Sequence, residues 1–224
     1  MNEVQIGRAK SARDAYAFDD IAVVPTKRTR DQEDVSLAWK VDAFAFDHPI
    51  ISAPMDSIAS PASVVEISKA GGLATLDLEG LWTRYQDPTE AYAKIIAASK
   101  GDGTRVVQQV YAEPIKPELV AARVQELRAA GITVAGALSA PRTLELHKVL
   151  VDAGVDIFVI RSTTLSAEHV STKGESLNLK QLIYELDVPV IAGGVASYKA
   201  ALHLMRAGAA GVLVGFGGGA THTT

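Results

Sequence analysis

Ala153-Gly-Val-Asp-Ile-Phe-Val-Ile160 places an Ala-Gly pair directly before a short apolar run, and this order decides the fold. A glycine just past a helix supplies the left-handed residue that closes it, and a short continuous apolar run is typical of a strand buried on both faces. The same order recurs as Ala70-Gly71 before residues 73–78, Ala130-Gly131 before 132–138 and Ala207-Gly208 before 211–216. The sequence therefore predicts repeating helix-to-strand units.

Two further runs, His48-Pro-Ile-Ile-Ser-Ala53 and Val188-Pro-Val-Ile-Ala192, raise the number of predicted strands to six. Predicted helices alternate with them at residues 61–70, 116–130, 141–153, 177–186 and 197–207. Ser60 is the expected N-cap of the first of these helices, with proline at its first position. Between residues 83 and 111 the pattern indicates a helix over 91–98, whereas 105–111 fits either a helix or a strand.

Apolar stripes mark the buried faces of two of these helices. They consist of Leu119, Val120, Val124 and Leu127 in the first and Leu144, Leu146, Val149 and Leu150 in the second. Both helices are expected in an outer ring around the sheet.

Alternating strands and helices predict an α/β fold with a parallel sheet, either doubly wound or closed into a barrel. No early G-x-G-x-x-G follows the first strand, which disfavours a dinucleotide-binding half. We therefore expect a (β/α)8 TIM barrel that is incomplete, with about six of its eight units present. Residues 1–47 are expected to form an N-terminal extension packed on the barrel, and 48–224 the partial barrel domain.

Composition excludes several classes of protein. The 224 residues carry a net charge of −4 and no basic stripe that would bind nucleic acid. No apolar stretch reaches the roughly 18 residues of a membrane span, and the N-terminus is not a signal peptide, so a cytoplasmic protein is expected. Because the chain has no cysteine, it has neither a disulfide nor a thiol nucleophile.

Four motifs occur in the order and spacing of a known family. They are Phe18-Asp-Asp-Ile-Ala-Val-Val-Pro25, Ile51-Ser-Ala-Pro-Met-Asp-Ser57, Ala192-Gly-Gly-Val195 and Val214-Gly-Phe-Gly-Gly-Gly-Ala-Thr-His-Thr-Thr224. Over essentially the whole chain the sequence resembles the IMP dehydrogenase/GMP reductase family, most closely its IMP-dehydrogenase-related branch without CBS domains. The resemblance implies C-terminal truncation inside the glycine-rich loop, where a substrate half-site is incomplete, so that this length alone is expected to be inactive.

For the full-length protein the resemblance implies a purine-nucleotide oxidoreductase of GMP biosynthesis. The substrate would be a purine nucleotide monophosphate, the cofactor NAD or NADP, the reaction hydride transfer at purine C2, and the assembly a homotetramer. In the family a loop cysteine attacks C2 and a covalent intermediate is hydrolysed. His222 stands at that cysteine position, and imidazole cannot replace a thiolate that must both attack and depart.

Site residues follow from the resemblance position by position. The implied catalytic residues are His222 and Thr224. The implied substrate-binding residues are Ala53, Met55, Gly219 and Ala220. The implied cofactor-binding residues are Arg161, Ser162, Gly194, Gly215 and Gly217. Backbone carbonyls of Gly217, Gly219 and His222 match the family's ligands for a monovalent cation, K+.

Three of these positions have an alternative interpretation. Arg161 stands where the family has the aspartate that holds the cofactor ribose, and it is either a phosphate ligand or a surface charge. Met55 either packs on the purine or fills a gap in the core. His222 is either an acid/base group or an exposed residue near the chain end.

Two alternative functions remain open on the sequence alone. Residues 189–195 followed by 211–215 also resemble the phosphate cradle of an FMN-dependent TIM-barrel oxidoreductase. The absence of the cysteine is also consistent with a catalytically silent relative that binds a nucleotide and regulates purine metabolism.

Overall fold

The computed structural model describes residues 3–13, 16, 20–24, 27–99, 101–162, 165–166 and 177–215. The chain divides into two compact units, one of Met1–Ser36 with Gly215–Thr224 and the other of Leu37–Val214. In the first unit, β1 (Glu3–Gly7) pairs antiparallel with β2 (Lys10–Arg13). The second unit contains all the other strands and all the α-helices among the described residues.

The second unit begins with a hairpin of β3 (Trp39–Val41) and β4 (Phe44–Phe46). Its main sheet consists of β5 (Thr75–Asp77), β6 (Ala135–Ser139), β7 (Ile157–Arg161), β8 (Val190–Val195) and β9 (Gly211–Val214). These five strands are neighbours in chain order, and every pair is parallel. A parallel bridge from Ile51 to Leu73 adds the first predicted strand at the edge next to β5.

Helices fill the connections between the strands. They are α1 (Pro61–Lys69), α2 (Thr89–Ala97), α3 (Gly103–Val110), α4 (Pro117–Ala129), α5 (Ala140–Ala153), α6 (Leu179–Glu185) and α7 (Tyr198–Arg206). The five predicted helices are confirmed, and residues 105–111 lie mostly in α3 rather than in a strand. The described residues therefore form an incomplete TIM barrel, as the sequence predicted.

The glycines of the repeated Ala-Gly pairs close the helices as expected. Gly71, Gly131, Gly154 and Gly208 all have positive φ, between 73° and 102°. An L-residue with a side chain rarely adopts this conformation, so each glycine turns the chain from a helix into the next strand.

The two faces of the sheet bury different sets of side chains. On the helix side, large residues such as Leu76, Leu138 and Phe158 pack against α1, α4 and α5. The residues that alternate with them along each strand project to the opposite face, which corresponds to the barrel interior. That face packs on the β3–β4 hairpin, with Val41 and Phe46 in its cluster.

One predicted buried position in α5 is wrong. Leu144 is 40% exposed, whereas Thr143 is completely buried and donates its hydroxyl to the Ser139 carbonyl, 2.9 Å away. Because this hydrogen bond satisfies the hydroxyl, threonine occupies an inward position, while Leu146 and Leu150 of the predicted stripe are buried as expected.

No helix among the described residues is long and apolar enough to cross a membrane. The β3–β4 hairpin belongs to the same compact unit as the sheet, and the division at residue 47 stays a prediction.

We expect Ser60→Ala to lower the free energy of unfolding by about 1 kcal/mol, because Ser60 and Ser63 form a reciprocal capping box at the start of α1. Ser68→Ala in the same helix is the matched control, since the buried Ser68 hydroxyl has no partner. Urea denaturation measures both. An equal loss in the two variants would contradict the assignment of the cap.

Candidate active site

Polar side chains collect at the carboxyl ends of the parallel strands, on the inward face of the sheet. Along β5, Leu76 and Leu78 pack with the helix-side core, so Thr75 and Asp77 project to the other face. Along β7, Ile157 and Val159 lie in the inner cluster, and Arg161 continues that alternation at the strand end. Active sites of TIM barrels are built at this end of the strands.

Asp77 and Arg161 form an ion pair there, with 2.8 Å between Asp77 Oδ1 and Arg161 Nη2. The same Oδ1 accepts a hydrogen bond of 3.0 Å from the Glu79 backbone N–H. Asp77 is 7% exposed, and its burial raises the pKa of the carboxyl, while Arg161 and the Glu79 N–H oppose that shift. The pair therefore joins β5 and β7, although β6 lies between them.

Two buried polar atoms on this face of the sheet have no hydrogen-bond partner. They are Arg161 Nε, at the carboxyl end of β7, and Thr75 Oγ1, at the amino end of β5. A buried N–H without an acceptor is costly, so such a group at a strand end indicates a place where a bound molecule supplies the missing acceptor. The remaining guanidinium surface is partly exposed, with the Arg161 side chain 36% accessible. Arg161 is therefore neither a simple surface charge nor fully satisfied by Asp77.

The backbone next to Arg161 is fixed by the end of β8. Ser162 N–H donates to the Gly193 carbonyl over 2.8 Å, and Gly194 N–H donates to the Ser162 carbonyl over 2.9 Å. The Gly194 carbonyl in turn accepts from Leu165 N–H at 3.0 Å. The predicted residues Arg161, Ser162 and Gly194 are thus brought together at adjoining strand ends.

Met55 lies in a tight turn after the predicted strand at residues 48–53. Its N–H donates to the Ala53 carbonyl over 2.8 Å, and its carbonyl accepts from the N–H groups of Ile58 and Ala59. The Met55 side chain is 46% exposed, so it does not fill a gap in the core. Exposed thioether surface at a strand end is available for packing on a flat, polarizable ring.

Asp56, the next residue, is surrounded by hydrogen-bond donors. We call Asp56 with its donors Tyr92, Tyr111 and the Leu81 N–H the Asp56 cluster. Oδ2 accepts from Leu81 N–H over 2.9 Å and from the Tyr111 hydroxyl, and Oδ1 accepts from the Tyr92 hydroxyl over 3.2 Å. Burial and the Asp56 charge raise the pKa of both tyrosines, so both phenols stay protonated donors at neutral pH.

Several predicted site residues lie outside the described part of the chain: Gly217, Gly219, Ala220, His222 and Thr224. The backbone cation site and the acid/base role of His222 therefore stay predictions. Gly215 is described and has φ of 127°. Among the residues that the structure describes, no group of three or more histidine and carboxylate side chains is placed to hold a metal ion.

A family comparison decides what this chain is. Residues 15–224 match the model of the IMP dehydrogenase / GMP reductase domain. The chain belongs to the IMP dehydrogenase/GMP reductase family. The predicted membership is confirmed, and no CBS pair occurs in the matched region.

Curated relatives place the chain near proteins named as oxidoreductases. An uncharacterized oxidoreductase of Mycolicibacterium smegmatis is 44% identical over 99% of this chain and 60% of its own length. One of Mycobacterium tuberculosis is 44% identical over 96% of the chain and 58% of its own length. The inosine-5'-monophosphate dehydrogenase of Cryptosporidium parvum is 26% identical over 96% of the chain and 54% of its own length.

A solved structure gives the same result. The crystal structure of an IMP dehydrogenase/GMP reductase-like protein from Corynebacterium glutamicum matches with a TM-score of 0.87 at 44% identity. The match covers 96% of this chain and 58% of that one. The chain thus spans 54–60% of the length of the relatives named above.

Sequence reasoning missed two carboxylates, Asp56 and Asp77. Asp77 is the last residue of β5, and Asp56 lies three residues after the predicted strand 48–53; a polar residue at the carboxyl end of a barrel strand is itself a signal for a site. No local sequence pattern reveals the partners of these carboxylates. The partner of Asp77 is Arg161, and the partners of Asp56 are Tyr92 and Tyr111.

We expect the stability difference between wild type and Asp77→Asn to depend on pH. Because the folded-state pKa of Asp77 lies above its ordinary value of 3.8, the native chain binds this proton more tightly than the unfolded chain. As the pH rises from about 4 to about 7, the free energy of unfolding of wild type should therefore fall relative to that of the variant. Urea denaturation across this range tests the sign, with exposed Asp152→Asn as control; a constant difference would contradict it.

We expect Gly80→Ala to disturb the Asp56 cluster and to lower the free energy of unfolding by about 1–3 kcal/mol. A Cβ at Gly80 would overlap the Asp56 carboxyl and lie 3.0 Å from the Asp56 Cβ. Gly103→Ala at the start of α3 is the control, because its Cβ would meet no atom within 4 Å. Thermal or urea unfolding compares the two, and similar stabilities would refute the crowding at Gly80.

Proposed function

We propose that the full-length protein is a purine-nucleotide oxidoreductase that transfers a hydride between C2 of a purine 5'-monophosphate and NAD or NADP. The observation that carries this proposal is the Asp77–Arg161 pair with its unpartnered Nε, at the carboxyl end of the barrel strands of a family member. A bound nicotinamide ring supplies the hydride acceptor or donor.

Met55 and Ala53 are proposed to bind the purine. Met55 exposes its thioether beside the turn after the first strand, and Ala53 is exposed one residue before Pro54. A small residue next to an exposed methionine leaves room for a flat heterocycle, whose face packs well against polarizable sulfur. Gly219 and Ala220 complete this part of the proposed site.

Arg161, Ser162 and Gly194 are proposed to bind the cofactor, with Gly215 and Gly217 from the glycine-rich loop. The residues present fit such a group, because a ribose hydroxyl or an amide oxygen would satisfy the unpartnered Arg161 Nε. Asp77 adds a carboxylate acceptor for a sugar hydroxyl. Since this family position normally carries an aspartate, we propose that Asp77 supplies the carboxylate here and that Arg161 holds it in place.

The catalytic step has a different chemical basis from that of thiol members of the family, because the chain contains no cysteine. We propose that His222 acts as an acid/base group with Thr224 beside it, and that carbonyls of Gly217, Gly219 and His222 bind K+. A homotetramer and an N-terminal extension over residues 1–47 complete the proposal.

The absence of cysteine also favours a second candidate, a nucleotide-binding relative without turnover that regulates purine metabolism. Both candidates predict binding of IMP, XMP or GMP. Only the first predicts consumption or production of NAD(P)H.

Absorbance at 340 nm with IMP and NAD(P), or with GMP and NADPH, tests turnover by the full-length gene product, and calorimetry tests binding. Turnover supports the oxidoreductase, and nucleotide binding without turnover supports the silent relative. Failure to bind any of the three nucleotides would refute both, and a flavin spectrum of the purified protein would favour the FMN-dependent alternative.

We expect Arg161→Ala to weaken binding of NAD or NADP by about tenfold, because it removes both the unpartnered Nε donor and the guanidinium that orients Asp77. Arg142→Ala on the exposed surface of α5 is the control. Calorimetric titration of the two variants measures the ratio. Equal affinity in both would remove Arg161 from the cofactor site.

A further inference from the structure

The connection between β5 and α4 contains a helical segment. The Met55 turn, which follows the predicted strand at residues 48–53, contacts this segment directly. We define the α2–α3 segment as residues 81–111, with the exception of residue 100, which is not described. Its own apolar cluster centres on Leu81, Ala91 and Val110. The segment thus has a separate small core, and its side chains are not needed to fill the main sheet.

Two tyrosines extend from this segment to the residue after Met55. The Tyr92 hydroxyl shares its one proton between the Asp56 backbone carbonyl, 3.0 Å away, and the carboxylate Oδ1, 3.2 Å away, and the Tyr111 hydroxyl donates to the other carboxylate oxygen. Hydrogen bonds to an ionised carboxylate are stronger than those between neutral groups. Asp56 is therefore held through both its main chain and its side chain.

Tyr111 is itself fixed from two sides. Arg84 Nη1 donates to the Tyr111 carbonyl over 3.1 Å, and the Arg84 guanidinium lies 5.4 Å from the centre of the Tyr111 ring. Arg84 Nε also donates to the Glu79 carbonyl over 3.1 Å, which ties the segment to the end of β5. Arg84 therefore fixes the position of Tyr111 within the Asp56 cluster.

The backbone of the Met55 turn is closed by its own hydrogen bonds, from Met55 N–H to the Ala53 carbonyl and from the Ile58 and Ala59 N–H groups to the Met55 carbonyl. Ser57 and Ile58 are exposed, and the Met55 side chain makes no contribution to the buried core. Asp56 directly follows Met55 in this turn, so the hydrogen bonds to Asp56 tie the turn, and with it the Met55 backbone, to the α2–α3 segment.

We propose that Asp56 is a positioning residue, which Tyr92 and Tyr111 hold so that Met55 projects into the substrate site. The α2–α3 segment thereby becomes part of the machinery that orients the purine. The role of Met55 toward the purine rests on the proposed function, whereas the control of Met55 position by the two tyrosines does not.

Methyl NMR of methionine tests the position directly. The chain has three methionines, Met1, Met55 and Met205, and Met55→Leu assigns the Met55 signal. We expect Tyr92→Phe and Tyr111→Phe to shift or broaden the Met55 methyl signal and to leave that of Met205, on α7, unchanged. In the same variants we expect affinity for IMP to fall by about tenfold.

Tyr85→Phe is the matched control. The Tyr85 hydroxyl donates to the Val110 carbonyl over 2.8 Å within the same segment but does not reach Asp56. A perturbation of Met55 by Tyr92→Phe and Tyr111→Phe and not by Tyr85→Phe supports the proposal. Equal perturbation by all three variants, or none by the first two, overturns it.

The nucleotide titration separates this proposal from the proposed function. If wild type binds no purine nucleotide, the proposed function fails, and the methyl spectra alone decide whether the tyrosines position Met55. If wild type binds and the variants bind equally well with an unmoved Met55 signal, the positioning proposal fails and the proposed function stands. Where a single variant does not fold, Asp56→Asn, which keeps an acceptor for the Leu81 N–H, replaces it.

Discussion

The ion pair between Asp77 and Arg161 depends on the small side chains of the strand that separates them. On β6, Ala137 is in register with Asp77 and Ser139 with Arg161, so only small residues lie between the two charged side chains. Larger residues there would fill the end of the barrel and exclude the pair. The polar groups of the site are thus accommodated beside small residues on the inner face, while the helix side of the sheet carries larger buried side chains.

The Asp56 cluster shows how a connection between a strand and a helix acquires a role in a site. In a TIM barrel the loops at the carboxyl ends of the strands are free to vary because the strands and outer helices supply the stability. The α2–α3 segment has its own small core and directs two phenols back toward the first strand. The contribution that we propose for the segment is the orientation of Met55.

Family membership and the residues of this chain support different parts of the proposed function. The family gives the oxidoreductase class. The chain itself has no cysteine, and it pairs Arg161 with Asp77 at the strand ends. The proposed cofactor site depends on this pair.

The sequence by itself determined the repeating units, because helix periodicity, buried apolar runs and left-handed glycines such as Gly154 act over a few residues. It also predicted that Arg161, Ser162 and Gly194 share a site, through motif resemblance. Only the tertiary structure decided that Asp77 meets Arg161 and that Tyr111 meets Asp56. Those contacts join residues far apart in the chain, and they depend on strand register, on the size of intervening side chains and on the path of a connecting segment, none of which a local pattern specifies.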